Sequence, residues 1–301
     1  MSKTKMWIEA MRLRTLPLSL SGILAGSFVA YAHGFWNTII FVLAMFTTVF
    51  FQILSNLAND LGDSLNGADN EGRVGPMRAV QSGKISIQEM KWAVAIFVIL
   101  SLLTAVPLVI IGTRDMDSSI MWFYFILAVL SIIAAISYTV GKKAYGYHGM
   151  GDVMVFLFFG WVAVVGVYSL YSKTFNWNVA LMANVIGFLS IAVLNLNNMR
   201  DHENDAKVGK NTLVVRIGFQ KAKVYHYTLV LLAFWHLIVF LAVESLYFSF
   251  IALLPFLLLF KHLAYVHKTN EPQKLDSELK KVALSTFFIA IIFSLTVFIW
   301  S

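Results

Sequence analysis

The sequence predicts an all-α fold: a polytopic membrane bundle of nine transmembrane helices, built as a single domain over residues 1–301. Three observations predict it. Hydrophobic residues make up 59% of the chain and charged residues only 13%, where soluble domains average about 25% charged. Apolar runs long enough to cross ~30 Å of hydrocarbon recur along the whole length. The basic residues between those runs fall almost entirely on one side.

The elements follow in order. Residues 5–14 read as a short interfacial helix, with Trp7, Ile8, Met11 and Leu13 apolar and Lys5, Arg12 and Arg14 basic. Spans are expected near 16–33, 37–57, 91–111, 119–140, 152–171, 178–197, 225–243, 245–264 and 282–300. Ala30-Tyr31-Ala32 resembles a signal-peptidase site, but eight further spans follow and the first is expected to be retained. Little more than Glu244 separates the seventh and eighth spans, so a tight turn is expected there.

With the N-terminus placed in the cytoplasm, every one of the 23 basic residues except Arg114 and Lys173 falls in a cytoplasmic segment. Adding or removing one span would scramble that partition. The net charge of +7 therefore orients the bundle. It does not mark a nucleic-acid partner, because no basic, aromatic-interleaved soluble face exists. The absence of cysteine excludes disulfides, thiolate catalysis and cysteine-ligated metals.

Two acidic clusters stand where the second and sixth spans reach the cytoplasmic side. One runs from Asn56 to Asp63 and the other from Asn197 to Asp205. In the first, Asn56, Asn59, Asp60 and Asp63 share one helical face. In the second, Asn197 or Asn198 shares a face with Asp201 and Asp205. Carboxylates this close together at a membrane face are costly unless a cation neutralises them. Oxygen-rich, sparse ligand sets suit Mg²⁺, which keeps waters and substrate phosphates in its shell. The pattern points to Mg²⁺ and a phosphorylated lipid at one face of the bundle. The clusters lie about 140 residues apart and each precedes a basic, glycine-containing loop, which suggests a four-helix pseudo-repeat with a ninth helix appended. A transporter or divalent-cation channel could also carry carboxylates at a membrane face, but its polar residues would sit near mid-span, and here those positions are almost all apolar.

At these residues the chain resembles the UbiA-type membrane prenyltransferase superfamily. The family pattern NDxxDxxxD is matched by Asn59, Asp60 and Asp63, and the pattern DxxxD by Asp201 and Asp205. The last Asp of the first pattern would fall at Gly67; Asp69 follows two residues later. That longer spacing is similar to the branch acting on 1,4-dihydroxy-2-naphthoate, as are the stretches Arg12–Pro17, Gly75–Gly83, Tyr145–Asp152 and Gly209–Gly218.

The resemblance implies transfer of a polyprenyl chain from polyprenyl diphosphate to 1,4-dihydroxy-2-naphthoate, with loss of CO₂ and diphosphate, in menaquinone synthesis. It places the protein in a bacterial inner membrane with its site facing the cytoplasm. Mg²⁺ would be held by Asp60, Asp63, Asp201 and Asp205, with Asp69 a further candidate, and Asn56, Asn59 and Asn198 would supply supporting oxygens. Arg73, Arg78, Lys142, Lys143, Arg200 and Lys210 are the candidate phosphate-binding cations, and Lys142 follows Tyr138 by four residues as in related prenyltransferases. Tyr138, Tyr145 and Trp161 are candidates for shielding an allylic cation, and Arg12, Arg14 or Lys210 for the acceptor's carboxylate. His33 falls on the far side and His148 on the side of the clusters. The same chemistry on another acceptor, such as 4-hydroxybenzoate or homogentisate, is the nearest alternative.

Overall fold

The computed structural model describes residues 2–67, 78–141 and 144–300. Asp69, Arg73, Lys142 and Lys143 lie outside the described residues. Among the described residues, nine helices are long and apolar enough to cross a membrane. A short helix, α1 (Lys3–Met11), comes first, capped by the Ser2 side chain and ended by Arg12 in the left-handed region at φ 48°. Beyond it stand α2 (Leu16–Ala32), α3 (Thr38–Leu65), α4 (Ile87–Gly112) and α5 (Ser118–Ser137). The second half holds α6 (Gly151–Ser172), α7 (Trp177–Lys207), α8 (Phe219–Val243), α9 (Tyr247–Lys268) and α10 (Asp276–Trp300).

Local chemistry starts and stops these helices. The Asn37 side chain accepts from the backbone N–H groups of Ile39 and Ile40 to open α3, and Ser86 with Glu89 forms a capping box at the start of α4. The turn expected at Glu244 is present. Ser245 takes φ 57°, and the Leu246 N–H donates to the Leu241 carbonyl at 2.9 Å.

Two helices run well past their apolar stretches. α3 continues to Leu65 and α7 to Lys207, against expected ends at 57 and 197. The intrahelical ladder does not stop where hydrophobicity does. Both acidic clusters are therefore carried on helix and keep the 3–4 spacing that aligns their side chains.

α7 is the central helix, with Val179, Ala183, Val185, Ile186, Leu189, Leu196 and Met199 fully buried. α5 is its opposite: Trp122, Phe123, Ile126, Val129, Leu130 and Ile133 are exposed, as lipid-facing side chains should be. Glycines set the closest crossings. A Cβ at Gly22 would stand 2.6 Å from the Ala163 Cβ, and one at Gly26 only 2.5 Å from the Val164 carbonyl oxygen. The pair forms a GxxxG face that lets α2 and α6 approach backbone to backbone. At that crossing α6 widens into a π-helical segment, Phe156–Gly166, a distortion frequent at functional sites.

A candidate active site at the acidic end of the bundle

A cavity of about 450 Å³ runs inside the first six spanning helices. Its walls come from α2 to α7, with Leu279 of α10 added; among the described residues, α8 and α9 contribute none. One end is polar, lined by Arg12, Asn59, Asp63, Arg78, Asp201, Asp205 and Lys210. The other is apolar, lined by Ile23, Ala44, Leu108, Phe159, Val162 and Leu170. From Asp63 to Ala44 the cavity follows roughly 28 Å of α3, at the helical rise of about 1.5 Å per residue.

The polar end is built from paired charges. Asp63 is buried, and its carboxylate lies 2.6 Å from Arg78 Nη2. Arg78 Nη1 also donates to the Asn59 carbonyl at 2.7 Å. The Tyr147 hydroxyl donates to Asp63 Oδ1 at 2.9 Å. Burial, then the charge of Asp63, raises the Tyr147 pKa above the ordinary tyrosine value, so its hydroxyl is held as a donor. Asp205 lies 3.8 Å from Lys210 Nζ, which also sits 5.7 Å from the centre of the Tyr147 ring. Asp201 is gripped by its neighbour on α7: Arg200 Nε donates to Oδ1 at 2.9 Å and Nη2 to Oδ2 at 2.6 Å.

The structure thus brings Asn59, Asp63, Arg78, Asp201, Asp205 and Lys210 to one cavity, which Arg12, Asn56, Tyr138 and Tyr145 also line, and gives Asp60, Arg200, Asn198, Arg14 and Trp161 different surroundings. Asp60 is buried but does not line the cavity; its carboxylate accepts the backbone N–H groups of Ala79 at 3.1 Å and Val80 at 3.5 Å. Arg200 lies behind Asp201, outside the lining. Asn56 does line it, but its amide also donates to the Met11 carbonyl at 2.9 Å and to Thr15 Oγ1 at 3.1 Å, pinning the α1–α2 junction to α3. Asn198 faces a smaller space that it shares with Tyr138 and Asp152. Tyr138 borders both spaces, and its ring meets that of Tyr145 edge-on at 5.3 Å. Trp161 is turned toward α7, where its ring N–H donates to Asn184. Arg12 lines the cavity and Arg14 does not. His33 pairs with Glu244 and Tyr168 at the far end.

Tyr147 contacts the candidate site through Asp63, and the sequence did not single it out. It sits in the Tyr145–Asp152 stretch, but no spacing rule links it to Asp63, 84 positions away.

Asp63, Asp201 and Asp205 with Asn59 offer hard oxygen donors of the kind Mg²⁺ prefers. Among the described residues, no three His, Asp or Glu side chains converge closely enough to enclose a metal by themselves. A cation here would need further oxygens from its ligand, which is how Mg²⁺ binds phosphates.

An acid- and base-lined chamber that opens into an apolar cavity, inside helices long and apolar enough to span a membrane, is the arrangement of an integral membrane enzyme. The chain belongs to the UbiA prenyltransferase family, whose profile matches residues 19–298. It is 40% identical over 297 residues to the 1,4-dihydroxy-2-naphthoate octaprenyltransferase of Haemophilus influenzae, covering 97% of this chain and 96% of that one. The enzyme of the same name from Escherichia coli K12 is 39% identical over 303 residues, covering 99% and 96%. Among solved structures, the fold is similar to a UbiA homologue from Archaeoglobus fulgidus bound to DMAPP and Mg²⁺, with TM-score 0.63, 18% identity, and coverage of 95% and 97%. It is also similar to the apo UbiA homologue from Aeropyrum pernix K1, with TM-score 0.65, 14% identity, and coverage of 94% and 98%.

Proposed function

We propose that this protein transfers a polyprenyl group from polyprenyl diphosphate to 1,4-dihydroxy-2-naphthoate, with release of CO₂ and diphosphate, at the cytoplasmic face of a bacterial inner membrane. One observation carries the chemistry. Acids from two helices, Asp63 on α3 and Asp201 with Asp205 on α7, meet Arg78 and Lys210 at one end of an apolar cavity. The acceptor follows the two relatives of the same name at 40% and 39% identity.

Each part has a role set by its place. Asp63, Asp201 and Asp205, with Asn59, would hold Mg²⁺, which when bound supplies positive charge against the leaving diphosphate. Arg78 and Lys210 turn donors toward the phosphate oxygens. The apolar walls from α2 to α6 take the tail and exclude water from the reacting carbon. Tyr138 and Tyr145, whose rings meet at the polar end, shield the developing allylic cation. Arg12 lines the mouth and gives the acceptor's carboxylate a partner. The new bond joins the allylic carbon to the aromatic ring. The ring's carboxylate leaves as CO₂, and the diphosphate departs with the electrons of the broken carbon–oxygen bond.

The test is prenyl transfer by the purified protein in lipid, using radiolabelled polyprenyl diphosphate, Mg²⁺ and a panel of aromatic acceptors, with product mass as readout. A prenylated, decarboxylated naphthalenediol is expected. Product from 4-hydroxybenzoate but none from 1,4-dihydroxy-2-naphthoate would overturn the acceptor assignment.

A further inference from the structure

Behind the cavity wall the second acidic cluster is tied to Asp276, a carboxylate that lies outside both motifs. Arg200 is buried and serves two acids at once. One is its neighbour Asp201, held by both carboxylate oxygens. The other is Asp276, the first residue of α10, which accepts from Nη1 at 2.5 Å. The remaining contact of Nη2 goes to Asn197 Oδ1 at 2.9 Å. Asp201 lines the cavity, while Arg200 and Asp276 do not. Asp276 has a side chain 57% exposed and lies 76 residues along the chain from Arg200.

We infer that Asp276 is a positioning residue of this site: it shares Arg200 with Asp201 and thereby keeps the Asp201 carboxylate available to a divalent cation. The reasoning is electrostatic. A fork-on-fork arginine occupies both oxygens of its carboxylate and competes with any cation for them. A second carboxylate on the same guanidinium divides that attraction and leaves the trio with a net charge of −1. Because Asp276 sits on α10, Arg200 can shift its donors toward that helix when Asp201 turns to a metal. Without Asp276, Arg200 would have only Asp201 as an ionic partner, and the acid would be neutralised from behind. The anchor is also well placed to stay still, because it stands at the N-terminus of a long helix where a carboxylate is favoured.

The inference rests on the metal-dependent reading of the site, and its test separates the two. The readout is protein-bound Mn²⁺ in equilibrium dialysis against Mn²⁺ and inorganic pyrophosphate, with no prenyl transfer involved. Asp276→Asn is expected to weaken Mn²⁺ binding about five- to tenfold, the size of coupling seen within one ionic network. Asp276→Glu should recover most of it. Glu271→Gln removes the same charge from the same exposed connection, where Glu271 pairs with Lys274, and should leave binding within about twofold. Equal affinity in Asp276→Asn and the parent, or an equal loss in Glu271→Gln, would overturn the role of Asp276 alone. Absence of bound Mn²⁺ in the parent protein would overturn both the metal reading and this inference.

Discussion

Arg78 and Asp63 form a buried ion pair at the polar end of the cavity, with 2.6 Å between guanidinium and carboxylate. The pair joins the end of α3 to the chain that precedes α4. Its two members have separable effects. Breaking a buried pair by removing one partner costs about 3–5 kcal/mol, while replacing both is often close to neutral. Asp63→Asn is therefore expected to lower both turnover, by about 10²-fold or more, and thermal stability. Asp63→Asn combined with Arg78→Gln should regain most of the stability and none of the turnover. Melting in detergent and prenyl transfer on the same preparations check both. Recovery of activity in the double variant would assign the pair a purely structural role.

Asp60 is three positions from Asp63 in the same motif and has different surroundings. Its carboxylate accepts the N–H groups of Ala79 and Val80, so it fastens the segment that carries Arg78. Asp60→Ala leaves those donors without an acceptor and should cost about 1–3 kcal/mol of stability. The folded fraction should retain turnover within about tenfold, in contrast to Asp63→Asn. A complete loss of turnover at unchanged stability would return Asp60 to the metal site.

This contrast shows what was legible in the sequence and what was not. The nine spans can be read because lipid demands long apolar runs, and the acidic faces because helical spacing aligns Asn59 with Asp63 and Asp201 with Asp205. Which of two nearby acids faces the cavity depends on the rotation of α3 against Thr139. Thr139 Oγ1 lies 3.2 Å from both the Ala58 carbonyl oxygen and Asn59 Oδ1, within reach of its one hydroxyl hydrogen, and a Cβ at Gly62 would stand 2.5 Å from its backbone carbon. No local pattern encodes that rotation. Arg200 and Tyr147 were obscured in the same way. Arg200 has the chemistry of a phosphate ligand but packs behind the wall, and Tyr147 reaches Asp63 from 84 positions away. The π-helical stretch of α6 has no sequence signal at all, because its apolar composition would suit an ordinary helix equally well.

Tyr147 allows a pH test with a definite sign. Burial and the charge of Asp63 both disfavour the phenolate, so its hydroxyl titrates above the ordinary value near 10. The hydrogen bond to Asp63 therefore persists through neutral and moderately alkaline pH. Tyr147→Phe should lower the rate by a constant factor of about tenfold, the worth of one hydrogen bond to a charged group. The alkaline limb of the pH–rate profile should not move. A limb that shifts or vanishes in Tyr147→Phe would show that this tyrosine ionises during turnover.

The apolar end of the cavity makes the last prediction, and it concerns the tail. Ala44 is buried, lines the deep end beside Ile23, Leu108 and Leu170, and lies roughly 28 Å along α3 from Asp63 at the helical rise of about 1.5 Å per residue. A tail that follows this wall passes Ala44 only if it is long. A two-unit donor stops well short of it. Ala44→Phe would add a ring at that end of the cavity wall. Transfer from a two-unit donor should stay within about twofold of the parent. Transfer from an eight-unit donor should fall by more than about tenfold, mostly through a higher KM, because the lost contacts are made equally in the bound and reacting states. Competition between the two donors in one assay, read by product mass, removes differences in protein yield. Equal losses for both would mean that the tail leaves the cavity sideways between helices before it reaches Ala44.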